Sequence, residues 1–398
     1  MRGQKTKTIA AVTTGKGTGA IATIELFGKN TPRLIKSIFQ SKNSKEKNLE
    51  QGQIYLGRII RNSQSIDEVT LGCEGPEHFA IHCHGNPLIT EMIMELLAEK
   101  GAVLLSAKNF LSRLPAYSGD INTIEREAKI ALPDARTIEG TKIIINQTKS
   151  GLNKSLKAWQ DNIDVISLDK IKTEARLVLR NSQPAKLIIY GCTIVLSGPP
   201  NSGKSTLFNY LAGKQKAIVT DIAGTTRDWV SVSCKIGSIL AELIDTAGLN
   251  EKLKQKPQDI LGQISQQKAI EMLDSADLIL LVLDAAHSNK QIGQALLQAL
   301  QRKKVLPILN KSDLAIRFKS ELLPKNFSEP IPICAKDGTG IENLLQKIQS
   351  HLCVRDFPLD APVCFTDRQH NLLVQLQNAT SQKHAASTIN ELLTGKLV

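Results

Sequence analysis

The stretch that most constrains this chain is Gly198-Pro199-Pro200-Asn201-Ser202-Gly203-Lys204-Ser205, which fits G-x-x-x-x-G-K-[ST] at every position. It follows the apolar run Ile194-Val195-Leu196 and precedes Thr206-Leu207-Phe208-Asn209, so a strand feeds a glycine loop that opens a helix. The glycines let the backbone wrap a phosphate chain, whose charge meets successive N–H groups and the positive end of a helix. Lys204 is expected to place its ammonium on the β- and γ-phosphates, with the Ser205 hydroxyl as a magnesium ligand. Such a loop needs a sheet behind it. Residues 185–352 supply the runs LIIYGCTIVLSG, LAELIDTAG, LILLVLDAA, KVLPILNKSD and IPICAKDGTG between helical stretches, which predicts a mostly parallel sheet covered on both faces.

Further motifs follow the loop in order. Asp245-Thr246-Ala247-Gly248 ends the apolar run Leu243-Ile244. A carboxylate at a strand end suits magnesium held through water, and Gly248 offers a backbone N–H to a γ-phosphate with no side chain in the way. Asn310-Lys311-Ser312-Asp313 follows the strand-like Val305–Leu309. Asp313 can accept two hydrogen bonds from guanine N1–H and its 2-amino group, a pairing adenine lacks. Cys334-Ala335-Lys336 would offer backbone donors to the base's O6. The ordered set predicts a GTP-binding domain.

Around it the composition is that of a folded chain: 41% hydrophobic and 22% charged. No apolar run reaches the roughly 18 residues of a membrane helix, so no membrane span is expected. Lys and Arg outnumber Asp and Glu by 50 to 38, which permits a polyanionic partner without requiring one. The seven cysteines are scattered with no C-x-x-C pair, which fits a reducing compartment. Residues 1–24 lack acidic side chains, as a transit peptide would, yet Thr8–Val12 and Ile21–Ile24 read as strands around a glycine-rich turn. A folded, cytoplasmic chain is the expectation. Residues 78–84 alternate like a strand, Pro87–Lys100 has helical spacing, and residues from about 121 to 180 and from 355 to 398 turn helical. Asn181-Ser182-Gln183-Pro184 reads as a break before a new domain.

Asp221-Ile222-Ala223-Gly224-Thr225-Thr226-Arg227-Asp228, taken with the motifs above, resembles the translation-factor-related GTPases. Within that class, Val219-Thr220-Asp221 running into GTTRD, with Asn201 in the phosphate loop, is similar to the MnmE/TrmE tRNA-modification GTPases. The resemblance extends over nearly the whole chain. It implies an α/β P-loop GTPase domain (185–352) inserted in an α-helical domain (119–184 and 353–398), preceded by an α+β N-terminal tetrahydrofolate-binding and dimerisation domain (1–118). It further implies that Thr226 completes the magnesium shell with Ser205. Asn201, with backbone carbonyls of Thr220, Ile222 and Thr225, would hold potassium beside the phosphates, where other GTPases use an arginine finger. The nucleotide site would then comprise Asn201 to Thr206, Thr220 to Thr226, Asp245 to Gly248, Asn310, Lys311, Asp313 and Cys334 to Lys336. Lys204, Thr226 and Gly248 would be catalytic. The activity implied is GTP hydrolysis coupled to tRNA wobble-uridine modification, by a homodimer working with a flavoprotein of the MnmG type.

The sequence departs from that pattern in several places. Where the family has a glutamate shortly after DTAG, this chain has Ile260, with Asp259 the nearest carboxylate and the candidate water positioner. The family's folate-binding arginine is matched by Glu25, and a glutamate ahead of its Gly-His-Gly-Gly stretch by Ala80. Its C-terminal cysteine is matched by Leu393, ahead of Thr394-Gly395-Lys396. An RNA- or ribosome-associated switch that has lost the modification chemistry is therefore the alternative, with a GTPase scaffold for a protein partner a third reading. His78, His82, Cys83 and His84 lie close in sequence but follow no familiar zinc spacing, and read as strand residues. Trp159 and Trp229 read as packing residues.

Overall fold

The computed structural model describes residues 7–14, 19–42, 49–114, 122–214, 231–245, 271–288, 292–301 and 303–395. Its contacts divide the chain into two units, one around the described residues up to Asp134 together with those from Asn390, the other around those between.

In the first unit, period-two alternation lays strands with one apolar face. Seven form one sheet: β1 (Ile9–Val12), β2 (Ile21–Phe27), β3 (Phe39–Ser41), β4 (Ile54–Arg61), β5 (Gln64–Gly75), β6 (His78–His84) and β7 (Val103–Leu104), in the order β3-β4-β5-β6-β2-β1-β7. All pairings are antiparallel except β1 with β7. One face buries Ile24, Leu26, Ile59, Leu71 and Ile81 under Ile35 and Ile38 of α1 (Thr31–Ile38) and Ile93 and Leu97 of α2 (Pro87–Glu99). On the other face Ile9 and Ala11 pack with Phe110 of α3 (Ala107–Arg113). The helix α4 (Thr123–Ala131) follows, with Asn122 capping its amino end through Glu125 N.

The second unit holds a six-stranded sheet: β8 (Cys192–Ser197), β9 (Ser231–Ile236), β10 (Ile239–Asp245), β11 (Leu278–Asp284), β12 (Val305–Asn310) and β13 (Ile331–Pro332), ordered β13-β12-β11-β8-β10-β9. Only the β9–β10 pairing is antiparallel. β11 and β12 are buried at every position, as continuous apolar runs in a doubly covered sheet should be. Helix α8 (Lys204–Lys214) opens from the phosphate loop, and α9 (Gln294–Leu300) and α10 (Ile341–His351) follow.

Helices α5 (Ile138–Lys149), α6 (Leu152–Asp161) and α7 (Leu168–Tyr190) precede the sheet; α11 (Asp367–Gln377) and α12 (Gln382–Thr394) follow it. The irregular segment 359–365 is bonded to the preceding helices. Gln147 Nε2 donates to Ala361 O at 3.1 Å, and its Oε1 accepts from Val363 N at 2.9 Å. The Ser182 hydroxyl accepts from Cys364 N at 2.8 Å, and the Tyr190 hydroxyl donates to Phe365 O at 2.7 Å. The expected break at residues 181–184 is corrected by the helix that spans it. The helix α7 runs through Pro184, although an interior proline removes one ladder bond and costs about 3 kcal/mol or more. Its buried stripe, Val178, Ser182, Ala185 and Ile189, keeps helical spacing across the proline, and this packing sustains the helix. The chain turns instead at Gly191, where φ is +83° and a Cβ would lie 2.7 Å from Leu240 O.

Candidate functional site

The phosphate loop joins β8 to α8, and glycine is required at two of its bends. At Gly198 φ is +142° and a Cβ would stand 2.2 Å from Val282 O; at Gly203 φ is +91° and a Cβ would stand 2.1 Å from Asn310 Nδ2. Asn201, between them, also has a positive φ of 59° and is exposed. Lys204 is 7% exposed, and its Nζ donates to the loop carbonyls of Gly198 at 3.1 Å and Pro199 at 2.8 Å. Burial pulls this ammonium below the usual lysine range, with the nearby Asp245 charge opposing. Beside it the Ser205 hydroxyl donates to Asp245 Oδ2 at 2.7 Å. Asp245 ends β10, which pairs in parallel with β8, so sheet register brings the carboxylate to the loop. Ser202 Oγ is buried and has no hydrogen-bond partner among the described residues.

At the other end of the site Asn310, 3% exposed at the end of β12, ties two loops together. Its Nδ2 donates to Ser202 O at 2.9 Å, and its Oδ1 accepts from Ala335 N at 3.0 Å. Lys311, at φ 64°, donates to Asn201 O at 2.9 Å and to Asp284 Oδ2 at 2.7 Å. Asp313 is exposed, while Cys334 and Ala335 are buried and Lys336 is exposed. Ser312 N donates to Ile333 O at 3.0 Å, which joins the two loops by backbone as well.

Asp284 was not singled out in the sequence. It ends β11 directly opposite Asn310, and Oδ1 accepts from Ala286 N at 2.9 Å. Burial pushes its carboxyl up, but Lys311, the Ala286 amide and His287 outweigh it and hold the group below the usual range. Its signal was legible: an aspartate closing an otherwise wholly apolar run, at the sheet edge where its neighbours β8, β10 and β12 also place polar residues.

The structure thus brings together Asn201 to Thr206, Asp245, Asn310, Lys311 and the Cys334–Lys336 turn. Thr220 to Thr226, Thr246 to Gly248, Asp259 and Trp229 lie outside the described residues. Trp159 is 2% exposed and donates to Glu174. In the first unit the strand histidines have separate partners. His78 Nε2 lies 2.8 Å from Glu25 Oε2, His82 Nδ1 lies 3.0 Å from Thr23 Oγ1, and His84 Nδ1 lies 2.7 Å from Asp67 Oδ1. Cys83 is buried and donates to Ala22 O.

Comparison with known proteins matches residues 193–311 to the family described as 50S ribosome-binding GTPase, and residues 8–113 to the family described as GTP-binding protein TrmE N-terminus. A tRNA modification GTPase MnmE of Alkaliphilus metalliredigens is 31% identical, covering 85% of this chain and 80% of the relative. That of Clostridioides difficile is 29% identical, covering 91% of this chain and 85% of its own length. Among solved structures, the G domain of the T. maritima FeoB iron transporter is 25% identical over 40% of this chain, with a TM-score of 0.31. The sequence similarity to the MnmE relatives runs along the phosphate-loop domain and the N-terminal domain alike, and the chain belongs to the MnmE family of tRNA modification GTPases.

Proposed function

We propose that this chain hydrolyses GTP with magnesium and couples the cycle to modification of a tRNA wobble uridine. The observation that carries this reading is the Ser205–Asp245 hydrogen bond at 2.7 Å beneath the phosphate loop, next to the Lys204 ammonium. A hydroxyl and a carboxylate are hard oxygen donors, which fits magnesium. Magnesium, when bound, neutralises charge developing on the β- and γ-phosphates. Ser205 and Asp245 would hold it, the hydroxyl as a ligand and the carboxylate through water. Lys204 exchanges two backbone carbonyls for phosphate oxygens, a favourable trade for a partly desolvated ammonium. Gly203 and Ser202 offer backbone donors, Asp313 selects guanine, and the Cys334–Lys336 turn receives its O6. Thr226, Gly248 and Asp259 keep their expected roles in the magnesium shell, at the γ-phosphate and at the attacking water.

Asn201 fits potassium: its carboxamide is exposed on the rim of the loop, an oxygen donor suited to a weakly held monovalent cation. GTP turnover in potassium above that in sodium, and loss of the difference in Asn201→Ala, would support that role; equal rates in both salts would remove it. Tetrahydrofolate does not fit. Glu25 stands where the family's arginine would meet an anionic ligand, is already bonded to His78, and faces Ala80 across the sheet. Its carboxylate repels the acidic tail of a folate. The GTPase domain, 185–352, is read as an insertion between helical segments 119–184 and 353–398; the Gln147, Ser182 and Tyr190 bonds to residues 361–365 support that arrangement. Pairing of 1–118 in a homodimer, an MnmG-type flavoprotein partner and a cytoplasmic setting complete the reading.

A second reading, a GTPase switch without modification chemistry, is favoured by one observation: Leu393, at the position of the family's cysteine, is 4% exposed. Restoration of the modified nucleoside in a strain lacking its own MnmE, measured by mass spectrometry, decides between them. Failure with good expression and normal GTP turnover selects the switch.

A further inference from the structure

Positive charge is unevenly distributed along this chain. The first 49 residues hold ten Lys and Arg against two Glu, while the whole chain carries 50 against 38. One of the two, Glu25, is engaged by His78 on the sheet. A charge excess of this kind at one end of a chain is a footprint for a polyanion when it converges on a built surface.

Two of those ten, Lys7 ahead of β1 and Arg33 at the amino end of α1, meet Lys100, at the carboxyl end of α2, around a cleft of about 290 Å³ in the first unit that Asn30 and Ser37 also line. Among the described residues no carboxylate lines it. Among the described residues Lys7, Arg33 and Lys100 form no ion pair, whereas Lys42 and Arg58 are neutralised by Glu68 and Arg61 by Glu95 and Glu99. The Asn30 side chain makes no capping bond to α1, and no acidic residue occupies that helix's first turn. Backbone bonds hold the walls in place. Val103 N donates to Thr8 O at 2.8 Å, Thr31 N to Gly28 O at 2.9 Å, and the buried Thr31 hydroxyl to Thr8 Oγ1 at 3.3 Å.

We propose that this cleft binds a phosphodiester of an RNA backbone, held by the Arg33 fork and the Lys7 and Lys100 ammonium groups, with Asn30 and Ser37 as neutral donors. Arginine matches phosphate bidentately, and lysines add point charge. An anionic membrane is the weaker fit, because α1, the helix that carries Arg33, buries its apolar residues Leu34, Ile35 and Ile38 and itself offers no apolar face to a bilayer. The choice of RNA rests on the tRNA reading above; the site itself rests on the cleft. Phosphate contacts position a nucleic acid without reading its bases, so the cleft orients RNA and does not select it.

The test uses the full chain with GDP and a fluorescently labelled tRNA transcript, titrated over a series of KCl concentrations. R33A/K100A should weaken binding about tenfold and lower the slope of log K against log salt by about two, one for each lost contact. An unrelated RNA of equal length should lose as much. R33K/K100R should restore most of the slope. Melting temperature and GTP turnover should stay at the parental values, since both residues are exposed and belong to the first unit. Unchanged affinity and slope in R33A/K100A, or no tRNA binding by the parent chain, would overturn the proposal. So would capture of phosphatidylserine vesicles by the parent and not by the variant with tRNA binding intact. None of these outcomes touches the nucleoside assay, so the tRNA reading is judged separately.

Discussion

Replacement of Asp284 by Asn isolates one charge in the nucleotide site. The side chain keeps its volume, and Oδ1 still accepts from Ala286 N, but Lys311 loses its only carboxylate among the described residues. Lys311 also holds Asn201 O, so its position fixes the crest of the phosphate loop. Breaking a fully buried ion pair from one side costs about 3–5 kcal/mol, while exposed pairs contribute about 0–1. Here Asp284 is 7% exposed but Lys311 35%, so water recovers part of the lysine's solvation and the cost falls to about 1–2 kcal/mol. If the nucleotide requires the held loop, this becomes roughly a 5- to 30-fold loss of affinity. Titration with a fluorescent GDP analogue near neutral pH measures it. The Asp284 carboxyl is held below its ordinary range, so its contribution is complete above about pH 4 and is lost only as pH falls through the lower folded value. The affinity gap should therefore stay constant from about pH 6 to 8. Parental affinity in Asp284→Asn, with an unchanged melting temperature, would show that the pair does not position the loop.

Three further changes test separate parts of the structure. Asp313→Asn should shift preference from guanine to xanthine nucleotides, and unchanged GTP affinity would contradict the base assignment. Gly203→Ala forces a side chain into a positive-φ position against Asn310 Nδ2, 2.1 Å from the new Cβ. Strain plus a lost hydrogen bond amounts to about 2–3 kcal/mol, so GDP affinity should fall by roughly 30- to 150-fold, and a wild-type titration would refute the contact. Glu25→Gln removes the charge opposite His78 and should lower stability by about 1 kcal/mol near neutral pH. Burial raises the Glu25 carboxyl, but bonds from His78 and Thr13 and the charges of His78 and His82 leave it below the usual range. Stability from it is thus present above the unfolded value, near 4.5, and is lost as pH falls further. A melting gap between parent and variant that is as large at pH 3 as at pH 7 would refute the pair.

The legible parts of this chain were those governed by short-range rules. Gly198 and Gly203 announce a loop because only glycine tolerates their φ and the close approach of Val282 O and Asn310 Nδ2. β11 and β12 announce a buried parallel sheet because both their faces are covered. Pro184 misled for a complementary reason. Local preference says that a helix ends before it, and the evidence against that lies in tertiary contacts, with Ser182 bonded to Cys364 far along the chain. The Asp284–Lys311 pair is not visible in the sequence because Lys311 follows the end of β12, and the register that sets Asp284 opposite Asn310 brings the two side chains together. Asn310 is expected in the nucleotide site from its motif, and its side chain is engaged by Ser202 and Ala335, a bridging task that no tetrapeptide motif displays.

The same distinction bears on the two places where the chain leaves its family's pattern. A carboxylate in place of an arginine would be costly if it were left half-buried and unpaired. Here His78, itself wedged near Phe27 and Phe110, meets it at 2.8 Å, and Ala80 opposite leaves the pair room on the sheet. A leucine in place of a reactive cysteine would be an idle exposed apolar group if the position were still a site. Leu393 is instead buried beside a buried Leu392, and Gly395 O just beyond accepts from the Thr123 hydroxyl at 2.9 Å. Both side chains are thus held by hydrogen bonding or packing. The phosphate loop differs: a buried ammonium, a serine hydroxyl aimed at an aspartate and a Ser202 hydroxyl with no partner among the described residues are poor economy for stability alone. The nucleotide site is thus where the described residues are held in ways that folding alone does not call for, and in the reading proposed above any contribution to tRNA modification passes through that site.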